Sequence, residues 1–281
     1  MASYDMYLSY SGRKTYLSCP QKYYFRYVKK QEAVDDPRKA LFGMAMGKLF
    51  EWFYNKKLWA IKNPEEECLR ASDQAIDDVC DEKRFDRSLH RDFMADLHRD
   101  VREFIPSTIK AIREHKLLNV SSRSEVDLTV DYSSKKHGMT LRIGGRSDFV
   151  HGPKPVWIVD GKGSVHREKY VDSEQLIWYA LQHYLKYHVA PERLGFLHYR
   201  FPKDPVQWIA YDEQAMRANL AKTFEVVVKI RNGEFSAIPS GECHRCDFRT
   251  VCQDGNVYLA SRRVASGGRV EKSIFDLEDV T

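Results

Sequence analysis

The sequence predicts an α/β protein: a mixed central β-sheet flanked by helices, preceded by a helical N-terminal half and followed by a cysteine-rich segment. Three observations predict it. Apolar residues recur at three- and four-residue spacing from Pro37 to about Leu118. From Glu125 onward, alternating and short apolar runs are separated by turn residues and helical stretches, and three cysteines crowd into Cys243–Cys252. With 281 residues, one large domain over about 1–260 is expected: a helical part (1–118), an α/β core (119–235) and a cysteine segment (236–256), then a tail (261–281). No apolar run reaches the length of a membrane span, and the first residues lack the apolar stretch of a secretory signal. The expectation is a cytoplasmic protein with reduced thiols and no membrane partner. Lysine and arginine (45) exceed aspartate and glutamate (40) by five, which permits a polyanionic partner without requiring one.

In chain order, residues 11–30 place Arg13, Lys14, Lys22, Arg26, Lys29 and Lys30 among Tyr16, Tyr23, Tyr24, Phe25 and Tyr27, with no acid. Such a stretch can neutralise phosphates and stack on bases, or it can be a helix with its aromatics in the core and its charges in water. Ser9 or Ser11 would cap this helix and Pro20 would kink or break it. Three or four helices follow to Leu118, with Pro64 between two of them and Pro106 bending the last. Glu125 to Asp131 alternates, Lys135 to Gly138 reads as a turn, and Met139 to Val150 resumes as a strand, which together make a hairpin. Val156 to Asp160 suits a buried central strand, Asp172 to Tyr187 a helix, Leu194 to Tyr199 and Gln207 to Tyr211 two strands, and Glu213 to Ile230 a helix.

The chemistry concentrates around two strand ends. Asp148 closes one predicted strand, and Asp160 and Lys162 close the next; positions i and i+2 of an extended chain share a face, so two carboxylates and an ammonium can converge. Carboxylate oxygens suit Mg2+ or Mn2+, and such an ion activates water and neutralises phosphodiester charge. Lys162 would position the water or stabilise the developing oxyanion. Gln175 and Tyr179, four apart on a helix, project from one face and would reach the same site or the nucleic-acid backbone, orienting substrate.

In their order and spacing these residues resemble the PD-(D/E)XK nuclease superfamily, in particular its RecB-like iron-sulfur exonuclease branch. The matching motifs are G-x-x-D at Gly145–Asp148, hydrophobic-D-x-K at Val159–Lys162, Q-x-x-x-Y at Gln175–Tyr179 and S-x-S-x-x-x-x-Y-x-x-C-P-x-x-Y from Ser9 to Tyr23. The resemblance runs from about Tyr7 to Cys252 and implies a restriction-endonuclease-like core. It also implies a metal held by Asp148 and Asp160, with the Gly161 carbonyl as a further ligand and a nearby side chain such as Glu51 or Glu125 substituting for a histidine this chain lacks. There are two departures. Phe50 stands where the branch usually carries a metal-binding histidine, and Gly161 is smaller than the usual apolar residue.

Cys243, Cys246 and Cys252 form C-x2-C-x5-C, a spacing at which thiolates in a reducing compartment ordinarily bind metal. The resemblance implies Cys19 as the fourth ligand of a 4Fe-4S cluster clasping the two ends of the domain. Zinc on the same thiolates, or with His244, and unligated thiols are the rival readings. Cys68 and Cys80 fit no ligand spacing and read as buried small residues. The resemblance thus implies a metal-dependent deoxyribonuclease, an exonuclease acting on DNA ends or single strands in recombination, repair or replication. A catalytically weak iron-sulfur DNA-binding subunit is the alternative, with Phe50 its best support. In the tail, Ile274, Phe275 and Leu277 among acids suggest docking onto a protein partner.

Overall fold

The computed structural model describes residues 4–34, 36–152, 156–170 and 174–265. The chain divides into two compact units, one of Met1–Tyr10 with Asp36–Phe224 and the other of Ser11–Asp35 with Glu225–Thr281.

The first unit is the mixed α/β body that the sequence predicts. Its helical half comprises α3 (Arg38–Asn55), α4 (Pro64–Glu82) and α5 (Arg91–Glu114), which follow α1 (Tyr10–Ser18) and α2 (Pro20–Tyr23) in the chain. Pro64 opens α4 at its first turn, where no backbone donor is lost. Pro106 lies inside α5, which continues through it to Glu114. Leu41, Ala45, Leu49, Phe53, Ile76, Val101, Ile105 and Ile112 are fully buried at the helical period, and this spacing is why the three helices pack together. Cys68 and Cys80 belong to the same core, as expected, and burial pushes the Cys68 thiol up to about 12.

Among the described residues, eight strands form two sheets rather than the single sheet read from sequence. A three-stranded sheet has the order β1 (Met6–Ser9), β4 (Met139–Gly144), β3 (Val130–Ser134), with β1 parallel to β4. A five-stranded sheet has the order β2 (Arg123–Asp127), β5 (Arg146–His151), β6 (Trp157–Lys162), β7 (Arg193–His198), β8 (Val206–Ile209). The predicted hairpin is therefore four strands. Asp127 Oδ1 accepts the Thr129 backbone N–H at 2.8 Å, an Asx turn that ends β2 and sends β3 to the other sheet. The chain returns at Gly144–Gly145.

β6 is central and buried, as its apolar run predicts, and pairs antiparallel to β5 and parallel to β7. The β6–β7 crossover carries α6 (Glu174–Tyr187). α6 packs on β6 and β7, and α3 packs on β2 and β6. α7 (Glu213–Arg231) follows β8.

The second unit joins the N-terminal segment to the C-terminal one. Cys19-Pro20 breaks the predicted helix into α1 (Tyr10–Ser18) and α2 (Pro20–Tyr23), and a π-helical turn follows over Tyr24–Val28. Within this unit the Tyr16 hydroxyl donates to the Glu234 carbonyl at 2.7 Å, Tyr23 stacks on Phe235 and Phe25 lies against Phe248. Lys22 and Arg26 both pair with Asp247. Lys22 and Arg26 are thus engaged internally, Arg13 is fully buried, and the buried aromatics Tyr16 and Tyr23 follow the core reading of this stretch. α8 (Gln253–Ala265) runs past Ser261, so the first part of the expected tail is helical. Ile274, Phe275 and Leu277 lie outside the described residues.

Candidate active site

The register of the five-stranded sheet builds an acidic row. Phe149 pairs with Val159, so Asp148 stands one step further on, opposite Asp160. Ser124 pairs with Phe149 and Val126 with Ser147, which places Glu125 opposite Asp148. Directly opposed residues share a face, so Glu125, Asp148 and Asp160 line up across three adjacent strands, and Phe196 of β7 continues the row beside Asp160. Glu125 makes no ladder pair and has φ +53°, a left-handed conformation that a glutamate adopts at a cost.

Hydrogen bonds fix the row. The Gly161 N–H donates to Asp148 Oδ2 at 2.7 Å. Lys162 Nζ is ion-paired with Asp160 Oδ2 and donates to Gln175 Oε1 at 2.9 Å. Gln175 Nε2 donates to Asp160 Oδ1 at 3.1 Å and to the Tyr179 hydroxyl at 2.9 Å. The i, i+2 and i, i+4 spacings read from sequence thus bring Asp160, Lys162, Gln175 and Tyr179 into one network. The rings of Tyr170 and Phe196 lie 5.1 and 5.3 Å from Lys162 Nζ.

Asp160 is 2% exposed. Desolvation, then the neighbouring charge of Asp160, holds the Asp148 carboxyl well above its ordinary range, and Lys162 only partly opposes this. Burial tends to lower the Lys162 pKa, yet Asp160 and Asp148 more than compensate, so the ammonium is stabilised. Desolvation also raises Glu125, against the pull of Arg146 at 3.4 Å. A buried carboxylate (Asp160) and a half-buried one (Asp148), with a third beside them and one lysine, make an oxygen-rich pocket of excess negative charge, which is the donor chemistry a hard divalent cation takes.

Comparison with known proteins decides the family: the chain matches the PD-(D/E)XK nuclease superfamily over residues 7–253. The chain belongs to that superfamily. Members of the PD-(D/E)XK superfamily are generally nucleases that hydrolyse phosphodiester bonds, typically with Mg2+ or Mn2+, and membership implies nucleic-acid binding. No curated protein matches the chain. A solved structure titled "Crystal structure of SSO0001" is similar at 16% identity and a TM-score of 0.31, covering 60% of this chain and 78% of that one. Among the described residues no helix is long and apolar enough to cross a membrane.

As a superfamily site the pocket has an unusual wall. Phe50, on α3, is fully buried and stacks on Tyr199 with ring centroids 5.9 Å apart and planes 14° apart. Tyr199 is a buried neighbour of Gly161 that sequence reasoning missed, because nothing in Leu197-His198-Tyr199-Arg200 marks it as more than the end of a strand. The structure brings Gly161 to Asp148 through its N–H rather than its carbonyl. Among the described residues no three His, Cys, Asp or Glu side chains stand close enough together to enclose a single metal ion, so Glu125 flanks the two aspartates without closing a three-ligand set.

The second site read from sequence lies wholly within the second unit. Cys19, Cys243, Cys246 and Cys252 line one cavity of about 270 Å³. The Ser240 and Gly255 backbone N–H groups donate to Cys243 Sγ and Cys252 Sγ, each at 3.4 Å. A Cβ on Gly255 would sit 3.4 Å from Cys252 Sγ and 3.5 Å from Cys243 Sγ, so the glycine keeps that wall of the cavity open. Burial raises the Cys252 thiol; the Gly255 N–H opposes this, and Cys19 and Cys246 nearby add to it.

Proposed function

We propose that this chain is a metal-dependent deoxyribonuclease of the RecB-like branch, an exonuclease acting on DNA ends or single strands. The observation that carries the reading is the closed network of Asp160, Lys162, Gln175 and Tyr179 beside Asp148. Asp148 and Asp160 would hold Mg2+ or Mn2+, with the Gly161 carbonyl as a further ligand and Glu125 flanking the pair. When bound, the ion supplies an activated water and neutralises charge on the phosphodiester. Lys162 orients the attacking water and steadies the developing oxyanion, Gln175 holds Lys162 and Asp160 in register, and Tyr179 fixes the Gln175 amide. Asp160→Ala or Lys162→Ala should abolish cleavage while DNA affinity is largely kept. Undiminished cleavage by both variants would remove the assignment.

The same reading gives Cys19, Cys243, Cys246 and Cys252 a 4Fe-4S cluster. In its support, all four thiols line one cavity, and two backbone N–H groups already point at sulfur. Such a cluster would add a covalent clasp to the contacts that hold Ser11–Asp35 to the C-terminal segment. The alternative, a catalytically weak DNA-binding subunit, is favoured by Phe50, which offers the pocket no donor. A nuclease assay with Mn2+ on iron-loaded protein separates the two. Ile274, Phe275 and Leu277 are proposed to dock a protein partner in recombination, repair or replication. An identical set of co-purifying proteins after truncation at Gly268 would refute that role.

A further inference from the structure

The C-terminal end of α6 helps build a second cavity, away from the acidic row. His188 has φ +56°, a left-handed residue that closes the helix and turns the Val189 carbonyl back onto it, where it accepts from His183 Nδ1 at 2.7 Å. A carbonyl only accepts, so the proton sits on Nδ1 and Nε2 is left a bare acceptor, with no partner among the described residues. His183 is 6% exposed, and burial lowers its pKa against the pull of the Val189 bond, which keeps the ring neutral. His183 and Val189 line a cavity of about 410 Å³ together with Val150 and Val156, a volume that suits a small ligand. Two further lining groups differ from these walls. Tyr187, one turn after His183, is exposed, and its ring centroid lies 4.8 Å from the imidazole. Arg123 pairs with Val150 across β2 and β5, which puts the two on one face of the sheet, and its exposed guanidinium has no ion pair among the described residues. Val156 immediately precedes β6, whose other end carries Asp160 and Lys162, about 20 Å away along the strand.

These groups suit one kind of ligand. Valine walls and a tyrosine ring take a flat apolar body, a bare imidazole nitrogen takes an N–H on its edge, and a free guanidinium takes a phosphate by a two-point contact. We propose that this cavity is a nucleotide site: the base lies between the valines and Tyr187 and donates an N–H to His183 Nε2, and the phosphate meets Arg123. Nuclease chemistry supplies such a ligand as a released mononucleotide or as one unit of a bound strand, and to that extent the inference rests on the reading above. It is tested on the full chain in EDTA by ligand-observed NMR titration with dTMP, thymidine and a thymidine trinucleotide. The unaltered chain should bind dTMP with a Kd of about 0.1 mM and thymidine about ten-fold more weakly. Arg123→Ala should remove that ten-fold advantage and leave thymidine unchanged. His183→Asn, whose amide N–H can keep the Val189 bond, should weaken both ligands alike. Arg123 is exposed and its truncation leaves the core intact, so that arm stands even where His183→Asn destabilises the fold. A trinucleotide that binds more tightly than dTMP assigns the site to the strand, and equal binding assigns it to the released product. No dTMP binding at about 1 mM, an Arg123→Ala effect that is absent or shared equally by thymidine, or a folded His183→Asn variant that binds both normally overturns the inference. If DNA is cut with Mn2+ and dTMP does not bind, the nuclease reading stands and this one falls; if dTMP binds through Arg123 and no DNA is cut, the site stands and the nuclease reading falls.

Discussion

Lys162→Met tests the electrostatics of the acidic row. Methionine nearly preserves the volume of the lysine stem and removes its charge, leaving Asp160 and Asp148 facing each other with no cation between them. The Lys162 and Asp160 side chains are 15% and 3% exposed, so water screens the loss little. Removing one partner of a buried ion pair costs about 3–5 kcal/mol because the other charge stays buried, and the lower end applies because Asp160 keeps its Gln175 hydrogen bond. The penalty belongs to the ionised acids, so its pH dependence has a definite sign. Lys162 opposes the raising of Asp148, and without it the carboxyl rises further. A carboxyl with a raised folded pKa favours the folded state at low pH, and that advantage is lost as pH rises through the raised value. The variant should therefore match the unaltered chain near pH 4 and fall about 3 kcal/mol short of it at pH 8. The assay is urea unfolding in EDTA across that range, repeated with Mn2+. A cation on the acids should restore most of the deficit, yet cleavage should stay absent because the ion cannot do what the lysine does. A deficit independent of pH, or one that Mn2+ leaves untouched, would refute the charge argument.

The acid pair makes Mn2+ affinity itself rise with pH between the ordinary carboxylate range and the raised value of Asp148, with protons released on binding; titration in two buffers of different ionisation enthalpy measures that release. His151 is 2% exposed, and desolvation lowers its pKa from 6.5 to about 4. Stability should be fully present above pH 6.5 and decline by about 3 kcal/mol toward pH 4, a slope that His151→Gln removes in unfolding measurements. Anaerobically purified protein should be brown, with Cys19→Ser losing iron as fully as Cys246→Ser by elemental analysis; colourless protein with one zinc would overturn the cluster. Gly255→Val should lower iron content with all four cysteines intact, because its side chain enters the space between Cys243 Sγ and Cys252 Sγ.

Elements long enough to repeat a period were legible in the sequence. α3, α4 and α5 bury residues at the helical spacing, and Val156 to Asp160 identifies the central strand because a strand buried on both faces leaves a continuous apolar run. The division into two sheets was harder to see. Glu125 to Asp131 alternates without interruption, yet Leu128 is fully buried inside a break made by one Asx turn. A turn that preserves alternation leaves no trace in the hydrophobic pattern, only in the Asp-x-Thr that makes it. β1, with four residues, is too short to show a period and is recognisable only by its pairing with β4.

The same distinction runs through the site. D-x-K spacing determines that Asp160 and Lys162 share a face, and the helical repeat determines that Gln175 and Tyr179 do. Neither spacing determines that the faces meet. That follows from the crossover, in which α6 lies across the two parallel strands it connects, so that Gln175 reaches Asp160 and Lys162 together. The motif order carries this information, which is why the family resemblance groups these four residues where spacing alone only permits it. Tyr199 is invisible to both kinds of reading. Its place depends on an absent side chain at Gly161 and a flat ring at Phe50, two residues that look in sequence like weakened versions of the motif. In three dimensions each accommodates the phenol: the missing Cβ leaves room for its hydroxyl, and the aromatic wall holds its ring. Departures from a motif are therefore to be read jointly, by asking which neighbour fills the volume they vacate.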